Sequence, residues 1–559
     1  MTGVLDFIKA QSEKAFDRGA LMPLFQELAE NFYPQRADFT ATRFMGSDFA
    51  ANLMTSFPLT VRRDLGNTFS SMLRPTAKDW FHIRTARMDK EDTETRQFLD
   101  RLTIFLKNAM YDRAAQFSRA TKEADHDFAT FGQAVIQSEL FRPKDGGVPH
   151  LLHRCWHLRD VAWFEDETGK ISTVYRKWHS GTALDILNKF PKTIHARMKE
   201  KAEKTPFEKV KIEHIILPFE VYDSLDGAKK IRRGLPHVSL YVDMDNDCIL
   251  EEVGQRVNGY TIPRFETVSG SQYAHSPATI AALPDGRLIQ AVTRVLLEAG
   301  EKAVNPPLIA VEDAIRSDIP LYAGGITWVD ADYDERLGEV LRPITQDTKG
   351  LQFGLELVRD IREQMKDAFY LNKLNLPPTQ GGRDMTAYEV AQRVQEFIRN
   401  ALPLFEPVEN DYNGQLCETD LQILLNAEPA ILRDLGMPET MQGAEYRFVF
   451  ESPLRDAVEK AKVGQFQEAS QIIAQAQALD PSAAFIIDGE EMVRDALEAT
   501  VPAAWLRPKD VVAKMVSNAQ AQAQQQQLLA MMGQGAKVAK DAAAAGVDAS
   551  TAMQSLGPA

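Results

Sequence analysis

Cysteine is scarce in this chain. Cys155, Cys248 and Cys417 are the only three in 559 residues, too few and too scattered for a disulfide framework, so synthesis in a reducing compartment is expected. Long apolar runs are absent as well. Segments such as AVTRVLLEAG are broken by charge well short of the ~20 residues that cross a bilayer. The opening MTGVLDFIKAQSEKAFDRGA mixes charges into its apolar pattern and holds no signal-peptide core, so a chain soluble when made is expected. Positive charge is outnumbered: 64 Lys and Arg against 79 Asp and Glu leave a net −15. That excludes a grip on nucleic acid over a broad basic surface, which depends on neutralising phosphates, but not a surface that nucleic acid slides past. Phosphate-binding loops are missing too. No glycine-rich run ends in Gly-Lys-Ser or Gly-Lys-Thr, and no G-x-G-x-x-G follows a strand. Gly324-Gly325 and Gly381-Gly382 read as turn glycines.

What remains is an ordinary globular composition, 44% hydrophobic and 26% charged, in a chain long enough for several domains. Apolar residues recur at helical spacing over Val4–Ile8 and Leu21–Leu28, with Pro34 closing the stretch. Helices are also expected over about 92–110 and 118–131. AVIQSELF, HLLHRCWHL and ISTVYRKWHS then read as strands, divided by PKDGG and DETGK. Residues 181–204 return to a helical pattern that Pro191 divides. KIEHIILPFEVYD, HVSLYVDM and CILEEVGQRV follow as a β-rich insertion ending near Ser271. Ser276 and Pro277 suit a helix start, Pro284 restarts or kinks that helix, and Asn305-Pro306-Pro307 stops it. Helical patterns then span about 351–374, 386–426 (with breaks at Pro403 and Pro407) and 453–479, with the strand YRFVFES between the last two. The Ala-, Gln- and Gly-rich end is helix-compatible over 509–532 and expected to fray beyond Gly533. The fold class expected is α+β, mainly helical.

Several segments imitate chemical sites. His153, Cys155 and His157 alternate and share a face on a strand, but no second ligand cluster completes a zinc site. Asp243, Asp245 and Asp247 imitate a calcium loop. Cys248 stands where its sharp turn needs glycine, and Gly254 where it needs a bidentate glutamate, so a charged hairpin tip is expected. Lys229, Lys230, Arg232 and Arg233 cluster in AKKIRRG at a turn. That pattern suits a solvated tip, or a docking point for nucleic acid or an acidic partner. Trp163 and Trp178 are read as core. No catalytic set with a supporting motif emerges, and no cofactor or metal is expected.

Three segments carry a resemblance. SQYAHSPATIAALPDGRLIQAV resembles the start of the stem helix in the portal proteins (head-to-tail connectors) of short-tailed bacteriophages, with Ala274-His275 in place of the usual Gly-Arg. RDMTAYEVAQRVQEF resembles the beginning of that family's long wing helix. ESPLRDAVEKAKV resembles its C-terminal strand-to-helix segment. Their order and spacing extend the likeness over most of the chain.

The resemblance implies a non-enzymatic, homo-oligomeric ring, a dodecamer, at one capsid vertex of the virion, assembled in the host cytoplasm with no membrane. Double-stranded DNA is packaged and ejected through its channel. The implied partners are the terminase large subunit, tail adaptor and nozzle proteins, and major capsid and scaffolding proteins. By order along the chain, 1–180 is expected as wing, 181–204 as the first stem helix, 205–275 as a β-rich clip and 276–305 as the second stem helix. Residues 306–480 return to the wing with a channel loop near 342–351, and 481–559 form the crown and tail. An acidic lining lets DNA slide, so channel-facing cations are expected to be sparse. The candidates are Arg287, Arg294, Arg342 and Lys349, with Lys229, Lys230, Arg232 and Arg233 for partner docking. The alternatives are another head–tail structural protein, an adaptor or scaffold-associated one, or a hydrolase using the His/Cys strand.

Overall fold

A computed structural model describes residues 3–310 apart from 45, 47, 49, 76–78, 87–92, 144–145, 179–180, 230 and 232–233. It also describes 341–343, 349–374, 408–450 apart from 442 and 444, and isolated positions elsewhere. The chain divides into two compact units, Met1–Ala457 and Val458–Ala559. In the second, the described positions lie scattered between 466 and 522 and are all helical. Residues 386–407 of the helix expected over 386–426, most of the helix expected over 453–479 and most of the crown and tail fall outside the described residues.

The first unit is α+β. Helix α1 (Val4–Phe16) opens it, and its main core is laid down by helices whose apolar residues recur every three or four positions: α2 (Leu21–Phe32), α3 (Phe57–Leu73), then, after strand β1 (Phe81–Thr85), α4 (Thr93–Met110) and α5 (Phe117–Phe131). Phe25 meets Phe131 at 5.3 Å and Phe69 meets Phe128 at 5.3 Å, which locks α2 and α3 onto α5. Gly132 caps α5 at φ 74°. Strands β2 (Val135–Phe141) and β3 (His150–Trp156) pair antiparallel and pack on α5.

A second layer follows. Strands β4 (Val161–Glu165), β5 (Ile171–Lys177), β6 (Ile212–Pro218), β7 (His237–Asp243) and β8 (Cys248–Gln255) form one antiparallel sheet in sequence order. Between them come helices α6 (Ala183–Lys189), α7 (Ala196–Lys204) and α8 (Phe219–Asp223), and after them the short strand β9 (Tyr260–Thr261), which joins β2. Successive strand residues face opposite ways. Leu240 and Val242 accordingly join the core against Val4 and Ile8 of α1, while Tyr241 joins Ile186, Phe190 and Met198 of α6 and α7.

This arrangement differs from the expected division in two places. Residues 181–204 are two short helices, because Phe190 and Pro191 end α6 and both helices bury one face on the sheet; they are not a free-standing stem helix. Residues 205–275 do not stand apart from 1–180 either, since β6 is bonded to β5, with Val174 opposite Ile216.

The chain then enters the helix foreseen from Ser276. The Ser276 hydroxyl accepts from the Thr279 amide at 3.1 Å and donates to the Thr130 carbonyl at 2.7 Å. A π-helical turn, Ala278–Ala282, precedes Pro284, and α9 (Leu283–Val304) continues to Asn305. Strand β10 (Leu308–Ala310) pairs antiparallel with β11 (Leu341–Pro343), and α10 (Lys349–Ala368) runs back along α9. Tyr370, at φ 59°, separates α10 from the single turn α11 (Leu371–Leu374). Helices α12 (Gln415–Ala427) and α13 (Ala430–Asp434) and strand β12 (Tyr446–Phe450) complete the unit. β12 closes it by pairing with β1, Phe81 opposite Phe450.

Candidate assembly surface

Much of the α9–α10 hairpin is left uncovered by the described residues of the first unit. α9 starts buried at Leu283, Gly286 and Ile289, but Val295, Leu297 and Val304 are 62%, 54% and 88% exposed. α10 reverses the trend. Phe353 and Leu355 near its start are 69% and 63% exposed, whereas Val358, Ile361 and Met365 enter the core. The two helices therefore leave and re-enter the domain side by side. They touch closely at Gly354, where an added Cβ would lie 2.6 Å from Leu296 Cδ2. Twenty-two residues make α9, about 33 Å long at 1.5 Å per residue. The β10–β11 pair draws together the two ends of segment 311–340 beyond the helices.

Apolar side chains this exposed on a projecting hairpin form a surface built to be covered. Sequence periodicity sets Leu288, Val292, Val295 and Ala299 on one apolar face of α9, but Leu288 and Val295 are exposed there, and it does not single out Leu297, Val304, Phe353 or Leu355. The signal was present in LQFGLELV, where Leu351, Phe353, Leu355 and Leu357 stand two apart and so cannot share one helical stripe.

The charges on the hairpin balance. α9 sets Asp285, Glu298 and Glu301 against Arg287, Arg294 and Lys302, and α10 sets Glu356, Asp360, Glu363 and Asp367 against Lys349, Arg359, Arg362 and Lys366. The net negative charge of the chain therefore does not come from these two helices.

The four candidate channel cations are not brought together into one cluster. Arg287 is held by Glu27 of α2, with Nη2 donating at 2.7 Å, and that pairing raises its pKa. Arg294 is exposed on the outer half of α9 and has no ion-pair partner among the described residues. Arg342 is exposed in β11, and Lys349 is the first residue of α10. Of the expected docking cluster, Lys229 pairs with Glu252 at 2.7 Å and its amide donates to the Tyr222 hydroxyl; Lys230, Arg232 and Arg233 lie outside the described residues.

The imitations of chemical sites resolve into structural contacts. His153 lies in the core, Nε2 2.8 Å from Asp420 Oδ2 and Nδ1 3.0 Å from the Ala115 carbonyl. Burial alone would lower its pKa, but the Asp420 carboxylate and the carbonyl bond raise it. Cys155 lies against Asp127 and Arg36, and burial pushes its thiol up. His157 faces Asp38 at 2.6 Å. Each ring or thiol thus has a different partner, and among the described residues no three His, Cys, Asp or Glu side chains are grouped to hold a metal. Asp243 accepts from the amides of Asp245 and Asn246 at 3.1 Å, the expected hairpin tip. Trp163 is fully buried, and Trp178 packs beside Ile186. Among the described residues no helix is long and apolar enough to cross a membrane.

The model of the family described as bacteriophage head to tail connecting protein matches residues 8–505. The chain belongs to that family. Among curated connectors, it is 25% identical over 456 residues to a protein named probable portal protein, from Bordetella phage BPP-1, covering 79% of this chain and 77% of that one. It is 22% identical over 353 residues to the portal protein of Salmonella phage epsilon15, covering 62% of this chain and 61% of the relative, a little under two thirds of its length. For a connector, the uncovered α9–α10 hairpin is the feature that most needs a neighbour.

Proposed function

We propose that this connector is the portal subunit of a short-tailed phage. Copies close into a ring, a dodecamer, at one capsid vertex; double-stranded DNA enters and leaves through the central channel, and the chain makes and breaks no covalent bond. The observation that carries the reading is the family match over nearly the whole chain, joined to a hairpin whose apolar side chains find no cover among the described residues. Head-to-tail contacts that close on themselves satisfy such a surface on every copy.

In this reading α9 and α10 are the two stem helices, in place of 181–204 and 276–305, and segment 308–343 between them is the clip, in place of 205–275. Their side-by-side packing and the β10–β11 closure support the reassignment. The clip end would dock the terminase and the tail adaptor. Arg294 and Arg342 remain the exposed cations to test against passing DNA.

Electron microscopy of the purified chain tests the proposal. Closed rings with a central hole are expected, and Phe353→Asp with Leu355→Asp should convert them to single subunits that keep their circular dichroism spectrum. A wild-type chain that stays monomeric at micromolar concentration would overturn it.

A further inference from the structure

One face of this acidic chain is basic. Residues 189–211 hold eight Lys and Arg against three Glu, a surplus of five in a chain whose total is −15. They lie on α6, α7 and the strand-bound loop that follows, the layer that covers the β5–β8 part of the sheet. α6 and α7 turn Ile186, Phe190, Met198 and Ala202 inward and Lys189 lies over the Tyr241 ring, while most other residues of this layer are exposed. Two of the three acids there are engaged, Glu200 holding Lys204 at 2.6 Å and Glu208 holding Lys201 at 2.9 Å, while Glu203 is exposed. Lys192, Arg197, Lys199 and Lys209 are exposed, and none has an ion-pair partner among the described residues. Phe207 stands in the loop between Lys204 and Lys209, 79% exposed.

We infer that this face binds the phosphodiester backbone of nucleic acid. Unpaired, solvated cations on a surface are what counterion release rewards, and such contacts act regardless of base sequence. Phe207 adds an apolar face beside them that can stack on an unpaired base. An acidic protein surface is the less fitting occupant. Four of the eight cations are lysines or arginine held out in water without carboxylate partners, and apart from Phe207 no large side chain on this face is exposed to form the desolvated anchor that protein interfaces need. The site is separate from the α9–α10 hairpin and does not depend on the portal reading.

The test measures binding of the full-length chain to a fluorescent thirty-base-pair duplex and to a single strand of the same length. Anisotropy is read between about 50 and 300 mM NaCl. The quadruple variant Lys192→Gln, Arg197→Gln, Lys199→Gln, Lys209→Gln should weaken binding at least about tenfold and flatten the salt slope by about 3–4 units. The matched variant Lys14→Gln, Arg96→Gln, Arg113→Gln, Lys170→Gln loses the same charge from other exposed positions and should change neither. Phe207→Ala should weaken only the single strand if bases stack on it, and an equal loss on both probes means it contacts sugar; either result places nucleic acid on this face. Absence of wild-type binding, an unchanged slope in the patch variant, or equal losses in both quadruple variants would overturn the inference.

Discussion

At the residue scale, the return segment 408–427 is tied to the first half of the chain by buried polar groups. Arg74 is the clearest. Its guanidinium pairs with Asp125, donates to Asn413 Oδ1 at 2.8 Å and lies over the Tyr412 ring, while Asn413 donates to the Leu73 carbonyl. Both partners of the ion pair are almost wholly buried. Arg74→Met therefore strands a carboxylate and should cost about 3–5 kcal/mol, whereas adding Asp125→Leu should restore most of the loss. Denaturation midpoints of the two variants against wild type measure this, and a double variant no more stable than the single one would refute it. Two histidines answer pH in opposite senses. His153 has its pKa raised against the cost of burial by Asp420, so its contribution is complete below the unfolded value of about 6.5 and fades as pH rises through the folded one. His126 is pushed down to about 4 by burial and by Arg62, whose Nη1 lies 3.1 Å from Nδ1. Its neutral ring is favoured in the fold, so stability is lost as pH falls from about 6.5 toward that value. The midpoint gap between wild type and His153→Gln should shrink above pH 6.5, and His126→Gln should lessen the loss on acidification.

At the scale of elements, α1, α2, α4 and α5 were legible because their apolar spacing is strong and local, and β2, β3 and β5 to β8 because β-branched runs sit between turn residues. α3 was not. PLTVRRDLGNTFSSML breaks its stripe with Arg62, Arg63 and Asp64, and Arg62 is buried only because Phe32 and His126 accept its hydrogen bonds. Nor could the sequence say which helix pairs with which. α9 was legible with both its ends, but its partner is α10, and that follows from long-range packing of Leu296 on Gly354 rather than from any local pattern. The joint between these elements is Gly132. It ends α5 at positive φ, and a Cβ there would lie 2.5 Å from the His275 carbonyl carbon, at the start of the stem-like helix. Gly132→Ala adds backbone strain, about 1–3 kcal/mol, to a clash with main chain that cannot rotate away. The variant should lose at least that much stability in thermal unfolding, while Gly146→Ala, also at positive φ but in open space, should lose less.

At the scale of the whole molecule, a subunit has to satisfy two demands that pull apart. It must fold alone before it assembles, and it must keep apolar surface in reserve for its neighbours. The division within the first unit answers both. The core joining α2, α3, α5, α12 and the β1–β12 pair closes without help, whereas the outer half of α9 and the first turns of α10 contribute little to it. Replacing residues 311–340 with a short Gly-Ser linker should therefore leave the main unfolding transition near its wild-type midpoint, because β10 and β11 lie at the far end of the hairpin from the core. The same change should abolish binding to the tail adaptor and reduce ring yield, read by electron microscopy and by co-sedimentation with the adaptor. If the linker variant still assembles and docks, the clip lies elsewhere in the chain; if it fails to fold, the hairpin is part of the core and its exposed side chains are not a reserved interface.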